Sequence, residues 1–182
     1  MMTRMDAWLL LTRYVKNKNT RKHCLACEAA MEDLAPRFGA DPERWRLVGL
    51  LHDLDVEMTS DNPDKHALLA AEMLGQEGFD DEFIHAIEGH CGQVERTTTL
   101  DHAMYAVDPT TGLIVASALM HPTRTLNGVD TRFVLKRFKD KRFAAGASRD
   151  QIHACRKLDL ELEPFVESVL TSMQRISDDL GL

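Results

Sequence analysis

The most informative stretch of the 182-residue chain reads Val48-Gly49-Leu50-Leu51-His52-Asp53-Leu54-Asp55. It follows Asp41-Pro42-Glu43, in which an Asp cap, a proline at the first helical position and an acid in the first turn together predict a helix start. Trp45, Val48 and Leu51 recur at three-residue steps and share one face of that helix. The stretch therefore predicts an apolar helix that ends in an imidazole beside a carboxylate.

Helical periodicity and helix punctuation recur along most of the chain. No run alternates apolar and polar residues long enough to predict a strand, and the nearest candidate, Val94 to Thr99, is polar at every position after Val94. The pattern predicts an all-α, compact multi-helix bundle, with one domain over residues 1–182, a core at about 18–120 and C-terminal helices at 130–180 packed on it. The predicted helices cover residues 6–16, 20–38, 41–52, 62–75, 80–91, 99 or 101 to 120, 130–144, 148–158 and 163–179.

The composition limits the classes of function that the chain can perform. It holds 22 basic and 29 acidic side chains, a net charge of −7, with 44% hydrophobic and 28% charged residues. These values are typical of soluble globular proteins, and the negative charge disfavours an extended nucleic-acid surface or an anionic membrane as partner. No segment approaches the roughly 18 apolar residues that a membrane helix needs. We therefore expect a cytoplasmic protein with reduced thiols and no membrane partner.

Eight histidines are the unusual feature of this composition. His23, His66 and His90 lie on helical faces that otherwise point inward, and a buried imidazole must find a polar partner. Each of them alone is better explained as a hydrogen-bonded core histidine, whereas all three together with His52-Asp53 are explained more simply by convergence on a metal ion. The remaining four lie off these faces and are predicted to be surface or supporting residues: His85, His102, His121 and His153.

Two other features leave alternatives open. Asp108 follows Met104 by four residues and precedes Pro109; spacing alone favours a cap for a helix that begins at Pro109, although a helix break can also place a carboxylate in a cleft. Cys24-x-x-Cys27 is better explained as buried small residues than as a zinc or redox site. A structural zinc needs four ligands, and a thioredoxin-like site needs a βαβ unit.

The order His23, His52-Asp53, Asp108 resembles the H…HD…D signature of the HD-domain superfamily of metal-dependent phosphohydrolases. The segments Ala106 to Ile114 and Lys139 to Gly146 extend the resemblance to an HDIG-type bacterial group of predicted hydrolases. The resemblance implies an all-α core that holds one metal ion. It implies as ligands of that ion His23, His52, Asp53 and Asp108.

The resemblance also suggests ligands for a second metal ion. In two-metal members of the superfamily, further histidines lie between the HD pair and the last Asp, and His66 and His90 fall in that interval. His90-Cys91 stands where some two-metal members have a double His, and Asp55 and Glu57 stand where some members place a Lys. The expected cofactor is one or two divalent ions, chosen from Mn, Fe, Co, Ni, Zn or Mg.

The resemblance implies hydrolysis of a phosphomonoester or phosphodiester on a nucleotide or another small phosphorylated substrate. A divalent ion lowers the pKa of bound water and polarises a phosphoryl oxygen. We predict catalytic roles for His52 and Asp53, with Asp53 both a ligand and the acceptor of the water proton. Residues 132–142 hold six basic side chains, which favours a solvated helix face but leaves open phosphate binding by Lys136 and Lys139.

Two other functions stay open at this point. One is an HD module without turnover that binds or senses a nucleotide. The other is a two-iron HD oxygenase, since the same ligand types serve oxygen chemistry in some members. Self-association of the chain is also left open.

Overall fold

The computed structural model describes residues 2–182, and 69% of the chain is helical. No strand occurs within this range, so the predicted all-α class is confirmed. The α-helices are α1 (Arg4–Tyr14), α2 (Lys18–Leu34), α3 (Pro42–Leu51), α4 (Leu68–Gln76), α5 (Asp81–His90), α6 (Thr99–Met120), α7 (Thr131–Phe138), α8 (Arg149–His153), α9 (Leu162–Arg175) and α10 (Ser177–Leu180).

Helices α2, α3 and α6 form the centre of the bundle. Helix α2 packs against α3, α6 and α9, while α5 packs against α4 and α6. The close approach of α2 and α3 depends on Gly49, where a Cβ atom would lie 2.5–2.8 Å from backbone atoms of Cys27 and Glu28. One hydrophobic cluster extends from Ala7 to Leu180, so the C-terminal helices share the core of the earlier ones.

Helix α6 runs without interruption through Pro109, so the prediction that Asp108 caps a new helix at Pro109 is wrong. The proline removes one backbone hydrogen bond. Beside it, the hydroxyl of Thr110 donates to the Ala106 carbonyl over 2.7 Å, and that of Thr111 donates to the Asp108 carbonyl over 2.9 Å. The free energy gained by burying α6 therefore outweighs the cost of the backbone hydrogen bond that Pro109 removes.

The prediction that no segment approaches a membrane helix is wrong for α6, which is long and apolar enough to cross a membrane; no other helix within residues 2–182 meets both criteria. In the fold, 61% of its most apolar 18-residue window is buried. Its apolar residues therefore serve as the centre of the protein core.

The helix predicted at residues 62–75 begins later than expected. Pro63–Lys65 form a single 3₁₀ turn, Ala67 has a φ of 70°, and the α-helix begins at Leu68. The side chain of Asn62 makes no capping hydrogen bond; the carboxylate of Asp55 instead accepts from the backbone N–H of Ala70 in the first turn of α4 over 2.9 Å. The cap comes from a distant residue, which local pattern does not reveal.

The helix predicted at residues 130–144 is also shorter, because α7 ends at Phe138. The guanidinium of Arg149 donates to main-chain carbonyls of the following segment, including those of Phe138, Ala144 and Ala147 at 2.7–3.1 Å. These carbonyls are thereby held in turns. Two later helices are divided as well: residues 154–158 continue α8 as a 3₁₀ helix, and Ile176 separates α9 from α10.

Candidate metal centre

The carboxylate of Asp53 lies between two groups of imidazoles. Its Oδ2 atom is 3.5 Å from His52 Nε2 and 3.7 Å from His23 Nε2. Its Oδ1 atom is 3.4 Å from His66 Nε2 and 3.6 Å from His90 Nε2. Each oxygen therefore faces a separate pair of histidines, which is the arrangement of a carboxylate that bridges two positions.

Asp108 completes the group on the Oδ2 side. Its Oδ1 atom lies 3.1 Å from His23 Nε2, and His23 Nε2 lies 3.2 Å from His52 Nε2. On the other side, the Nε2 atoms of His66 and His90 are 3.2 Å apart. The structure thus brings the six sequence-predicted ligands together: His23, His52, Asp53, His66, His90 and Asp108.

Five elements bring these residues together. His23 lies in the second turn of α2, and Asp108 lies in the middle of the continuous helix α6. His52-Asp53 follow the last residue of α3, where the turn lets adjacent side chains point to one place. His90 ends α5, and His66 lies in the extended connection before α4. Only His66 reaches the centre by a route other than the helical face predicted for it.

The Nδ1 atoms of all four histidines are held by acceptors on the side away from Asp53. His52 Nδ1 donates to the Gly49 carbonyl over 2.8 Å, and His90 Nδ1 donates to the Ile87 carbonyl over 2.5 Å. His66 Nδ1 donates to Asp55 Oδ1 over 2.8 Å. Because carbonyl and carboxylate oxygens only accept, these contacts assign the proton to Nδ1.

His23 also carries its proton on Nδ1, and Thr111 is the acceptor. The Thr111 hydroxyl uses its one proton on the Asp108 carbonyl, so it accepts from His23 Nδ1, 3.1 Å away. In the neutral imidazoles the unprotonated Nε2 atoms therefore converge on Asp53 and Asp108. Lone pairs and carboxylates at 3.1–3.7 Å repel one another unless positive charge lies between them.

The spacing of these atoms also suits a metal ion. Ligands at about 2.1 Å from an ion lie about 3.0 Å apart in octahedral and about 3.4 Å apart in tetrahedral geometry. Outer hydrogen bonds that fix each imidazole are a usual part of such sites. His and Asp groups are thus placed to hold a metal, and the donor set fits a divalent ion.

The pKa values of the histidines and of Asp53 also show that positive charge is favourable in this centre. Hydrogen bonds to Asp53 and Asp55 raise the pKa of His66 to about 10. Burial lowers the pKa of His52 to about 4. Burial acts against ionisation of Asp53, yet the imidazoles of His52, His66 and His90 hold the pKa of its carboxyl well below the usual range. The carboxylates therefore stay ionised, and a proton on His66 supplies positive charge there in the absence of a metal ion.

Three residues near the centre were not among the predicted site residues. Asp55 is fully buried and orients His66. Thr111 orients His23 from 88 positions away. Cys27 is buried as predicted, but its Sγ atom lies 3.9 Å from His23 Nε2. The Asp-x-Asp spacing of Asp53 and Asp55 was the one signal that could have pointed to the first of these.

Of the other residues considered from the sequence, Lys136, Lys139 and His85 lie outside the ligand cluster, whereas Cys91 lies beside it, with its Sγ atom within 4.8 Å of ligand atoms of His66 and His90. Lys136 and Lys139 are exposed on α7 and directly after it, and neither lines the cavities described beside the centre, so their role in phosphate binding stays a prediction. His85 donates to Asp101 Oδ2 over 3.0 Å, and Cys91 contacts the His66 carbonyl at 3.7 Å.

The centre is partly open to solvent, most at His23 and Asp108 and also at His66, whose side chain is 21% exposed. His52 and His90 are buried, whereas 24% of the His23 side chain and 27% of the Asp108 side chain are exposed. A cavity of about 270 Å³ adjoins these two residues and is walled by Gly112 and by the segment Ala144 to Ala147 that Arg149 holds. A small molecule can therefore reach the ligand cluster from the His23–Asp108 side.

A model of the HD domain family matches residues 20–121, which is more than half of the chain. The chain belongs to the HD domain family. The HD match covers all six clustered residues, and the family is one of metal-dependent phosphohydrolases.

Similar curated proteins carry this HD domain within longer chains. Ribonuclease Y of Cutibacterium acnes is 33% identical over 87 residues, which are 47% of this chain and 16% of that protein. Ribonuclease Y 2 of Levilactobacillus brevis is 30% identical over 95 residues, 52% of this chain and 18% of that protein. The chain spans less than a fifth of these relatives, and no solved structure matches it significantly. Together, the HD match and these relatives support a metal-dependent hydrolase in general.

Proposed function

We propose that the protein is a metal-dependent phosphohydrolase that acts on a small phosphorylated substrate such as a nucleotide. The observation that carries the proposal is the position of Asp53, whose two oxygens each face a separate pair of imidazoles. This arrangement supports two adjacent ions with Asp53 between them. Divalent ions at such a site supply activated water and stabilise the charge that develops on a phosphoryl group.

The chain's own residues fix the ligand geometry. Thr111, Gly49, Asp55 and Ile87 accept from the four Nδ1 atoms and hold the Nε2 atoms toward Asp53. Both Asp53 oxygens face imidazoles, which favours its role as a ligand; its predicted second role as acceptor of the water proton stays a prediction. Asp108 has the more exposed carboxylate and borders the cavity through which a substrate enters.

The substrate class is argued from charge and access. A net charge of −7 disfavours a long polyanion, whereas the cavity beside His23 and Asp108 accommodates a small ester. The name of the curated relatives, ribonuclease, supports phosphodiester chemistry as the main variant of this proposal. The rates of hydrolysis of nucleoside monophosphates and of an RNA dinucleotide, measured side by side, distinguish phosphomonoesterase from phosphodiesterase activity.

The first experiment measures metal content and turnover in the same preparation. We expect up to two ions per chain by elemental analysis and Mn²⁺- or Co²⁺-dependent release of phosphate from phosphomonoesters. His52→Ala and Asp53→Ala should each lower kcat/KM at least about 100-fold, with loss of metal. His121→Ala, at a half-buried histidine outside the cluster, is the matched control and should leave both unchanged. A purified protein without metal above background would contradict the proposal.

A two-iron oxygenase is the second candidate, because four imidazoles and a carboxylate between them also suit two iron ions. Oxygen consumption with a visible iron–oxo absorption band, in the absence of phosphatase activity, would favour it. A nucleotide-binding module without turnover would instead bind metal and nucleotide tightly and release no phosphate. Replacing Lys136 and Lys139 by Gln tests their predicted part in phosphate binding through the KM.

A further inference from the structure

A second cavity begins at the metal centre and leads away from the segment that Arg149 holds. It encloses about 450 Å³ and shares His23 and Gly112 with the cavity at Asp108. From Gly112 it follows α6 along Val115 and Leu119, and Leu180 forms part of the opposite wall. We call this cavity the α6 arm. Its position makes it a continuation of the space beside the predicted ligands.

Gly112 occupies the junction of the two cavities. It lies one helical turn after Asp108, in the interior of a 22-residue helix, where glycine is less favourable than any residue except proline. Packing does not explain the glycine, because a Cβ atom at this position would meet no heavy atom within 4 Å. A larger side chain would therefore fit the fold and fill the junction. The missing side chain keeps the two cavities connected.

The lining of the α6 arm is mostly apolar, and its polar side chains are Asn19, Lys22 and His23. Val115, Leu119 and Leu180 supply the apolar part, and 52% of Leu119 is exposed although it is a large hydrophobic residue. Lys22 precedes His23 and forms no ion pair with any acid in the part of the chain that the structure describes. Its Nζ atom lies on the Gly181 side of the arm, where a Cβ atom would be 2.8 Å from it, and the remaining wall complements an apolar group.

We propose that the α6 arm binds the apolar or aromatic group of a phosphate ester whose phosphate lies at His23 and Asp108, and that Gly112 is the residue that admits this group. The position of the phosphate at the metal centre rests on the proposed function, whereas the binding of the apolar group in the α6 arm does not. The volume of the arm is within the range of small-molecule sites. The preferred substrates are thus monoesters with a bulky apolar or aromatic substituent, and methyl esters leave the arm empty.

The test compares two non-hydrolysable phosphonates by calorimetry on the metal-loaded full chain. We expect 1-naphthylphosphonate to bind at least tenfold more tightly than methylphosphonate. Gly112→Leu should weaken the naphthyl compound at least tenfold more than it weakens methylphosphonate, with unchanged metal content. Gly75→Leu is the matched control, since Gly75 lies in helix α4 with equally open space around it and should change neither affinity.

A second variant keeps the inference testable if Gly112→Leu unfolds. Leu119→Glu changes an exposed position of the same arm and should also weaken the naphthyl compound selectively. Equal affinities for the two phosphonates in the unchanged protein, no binding of either, or a preference that survives both variants would overturn the inference. If the unchanged protein binds 1-naphthylphosphonate more tightly than methylphosphonate but does not hydrolyse naphthyl phosphate, the proposed hydrolase activity is refuted and ligand binding in the α6 arm is supported.

Discussion

His66 and Asp55 form a hydrogen bond of 2.8 Å between Nδ1 and Oδ1, and this bond decides which nitrogen of His66 faces the metal centre. The second oxygen of Asp55 accepts from the Ala70 N–H over 2.9 Å in the first turn of α4. One buried carboxylate therefore fixes both an imidazole of the centre and the start of the helix that follows it. The two effects explain how His66 reaches the centre from a non-helical connection.

Replacing Asp55 by Asn should impair metal binding at the His66–His90 side. The amide cannot fix the Nδ1–H form of His66 as a carboxylate does, and loss of such outer contacts costs about 10- to 100-fold in metal affinity. We expect one ion to be lost first on dialysis against chelator, which elemental analysis would detect. Glu57→Gln, two residues later and outside the ligand cluster, is the control. Equal metal retention in the Asn variant and the control would contradict this role.

Thr111 should orient His23 through its hydroxyl alone. Thr111→Val keeps the shape but removes the acceptor for His23 Nδ1, so we expect about 10- to 100-fold weaker metal binding. Thr111→Ser keeps the hydroxyl and should remain within a few-fold of the original protein. Competition with a chromogenic chelator measures the affinities. Similar losses in both variants would assign Thr111 to packing.

Gly49 should be intolerant of any side chain. A Cβ atom would lie 2.5–2.8 Å from the backbone of α2, so Gly49→Ala must push α2 and α3 apart and cost about 1–3 kcal/mol of the free energy of unfolding. Gly75→Ala, in open space within a helix, should stabilise by up to about 1 kcal/mol. Urea unfolding followed by circular dichroism measures both. A neutral Gly49→Ala substitution would show that the two helices can separate at little cost.

Arg149 should act as a positioning residue for the wall of the cavity at Asp108. Its guanidinium donates to the carbonyls of Asp140, Phe143, Ala144 and Ala147. Arg149→Lys lacks the planar fork that reaches several carbonyls, so we expect faster hydrogen exchange in residues 139–147 and a raised KM with little change in kcat. Arg142→Lys, on the same segment and almost fully exposed, is the control. Unchanged exchange in Arg149→Lys would refute the role.

The pair of Asp80 and Arg44 should give the fold a dependence on acid. The hydrogen bonds from Arg44 lower the pKa of Asp80 to about 2. A lowered pKa in the folded state stabilises the protein above the unfolded value near 4, and this contribution disappears as the pH falls from about 4 to 2. Because the pair is exposed, the contribution is under about 1 kcal/mol.

Asp80→Asn keeps the cap on Phe83 but removes the charge. The difference in unfolding free energy between the original protein and this variant should therefore shrink to zero between pH 4 and pH 2. Asp81→Asn, an acid in the same helical turn without an ion pair in the described residues, is the control. A difference that does not depend on pH would contradict the assignment to charge.

The sequence by itself determined the all-α class and placed His23, His52-Asp53 and His90 where they can converge, whereas Asp108 entered the ligand set only through the resemblance to the HD superfamily. Apolar periodicity, caps and prolines act within a few residues, so they specify helices and faces without knowledge of the rest of the fold. The His52-Asp53 pair after an apolar helix, with His23 and His90 on inward faces, was readable for that reason. His66 lies in the cluster, although the helix predicted for it begins only at Leu68.

Only the tertiary structure decided how these side chains are held and where the centre opens. The acceptors Asp55 and Thr111 lie 11 and 88 positions from the imidazoles they orient, so their roles exist only once the helices have packed. The same holds for Pro109, which burial keeps inside one continuous helix, and for Arg149, whose contacts end α7 early. Local pattern specifies which residues can form a helix face, whereas packing free energy decides which helix breaks persist and which side chains meet.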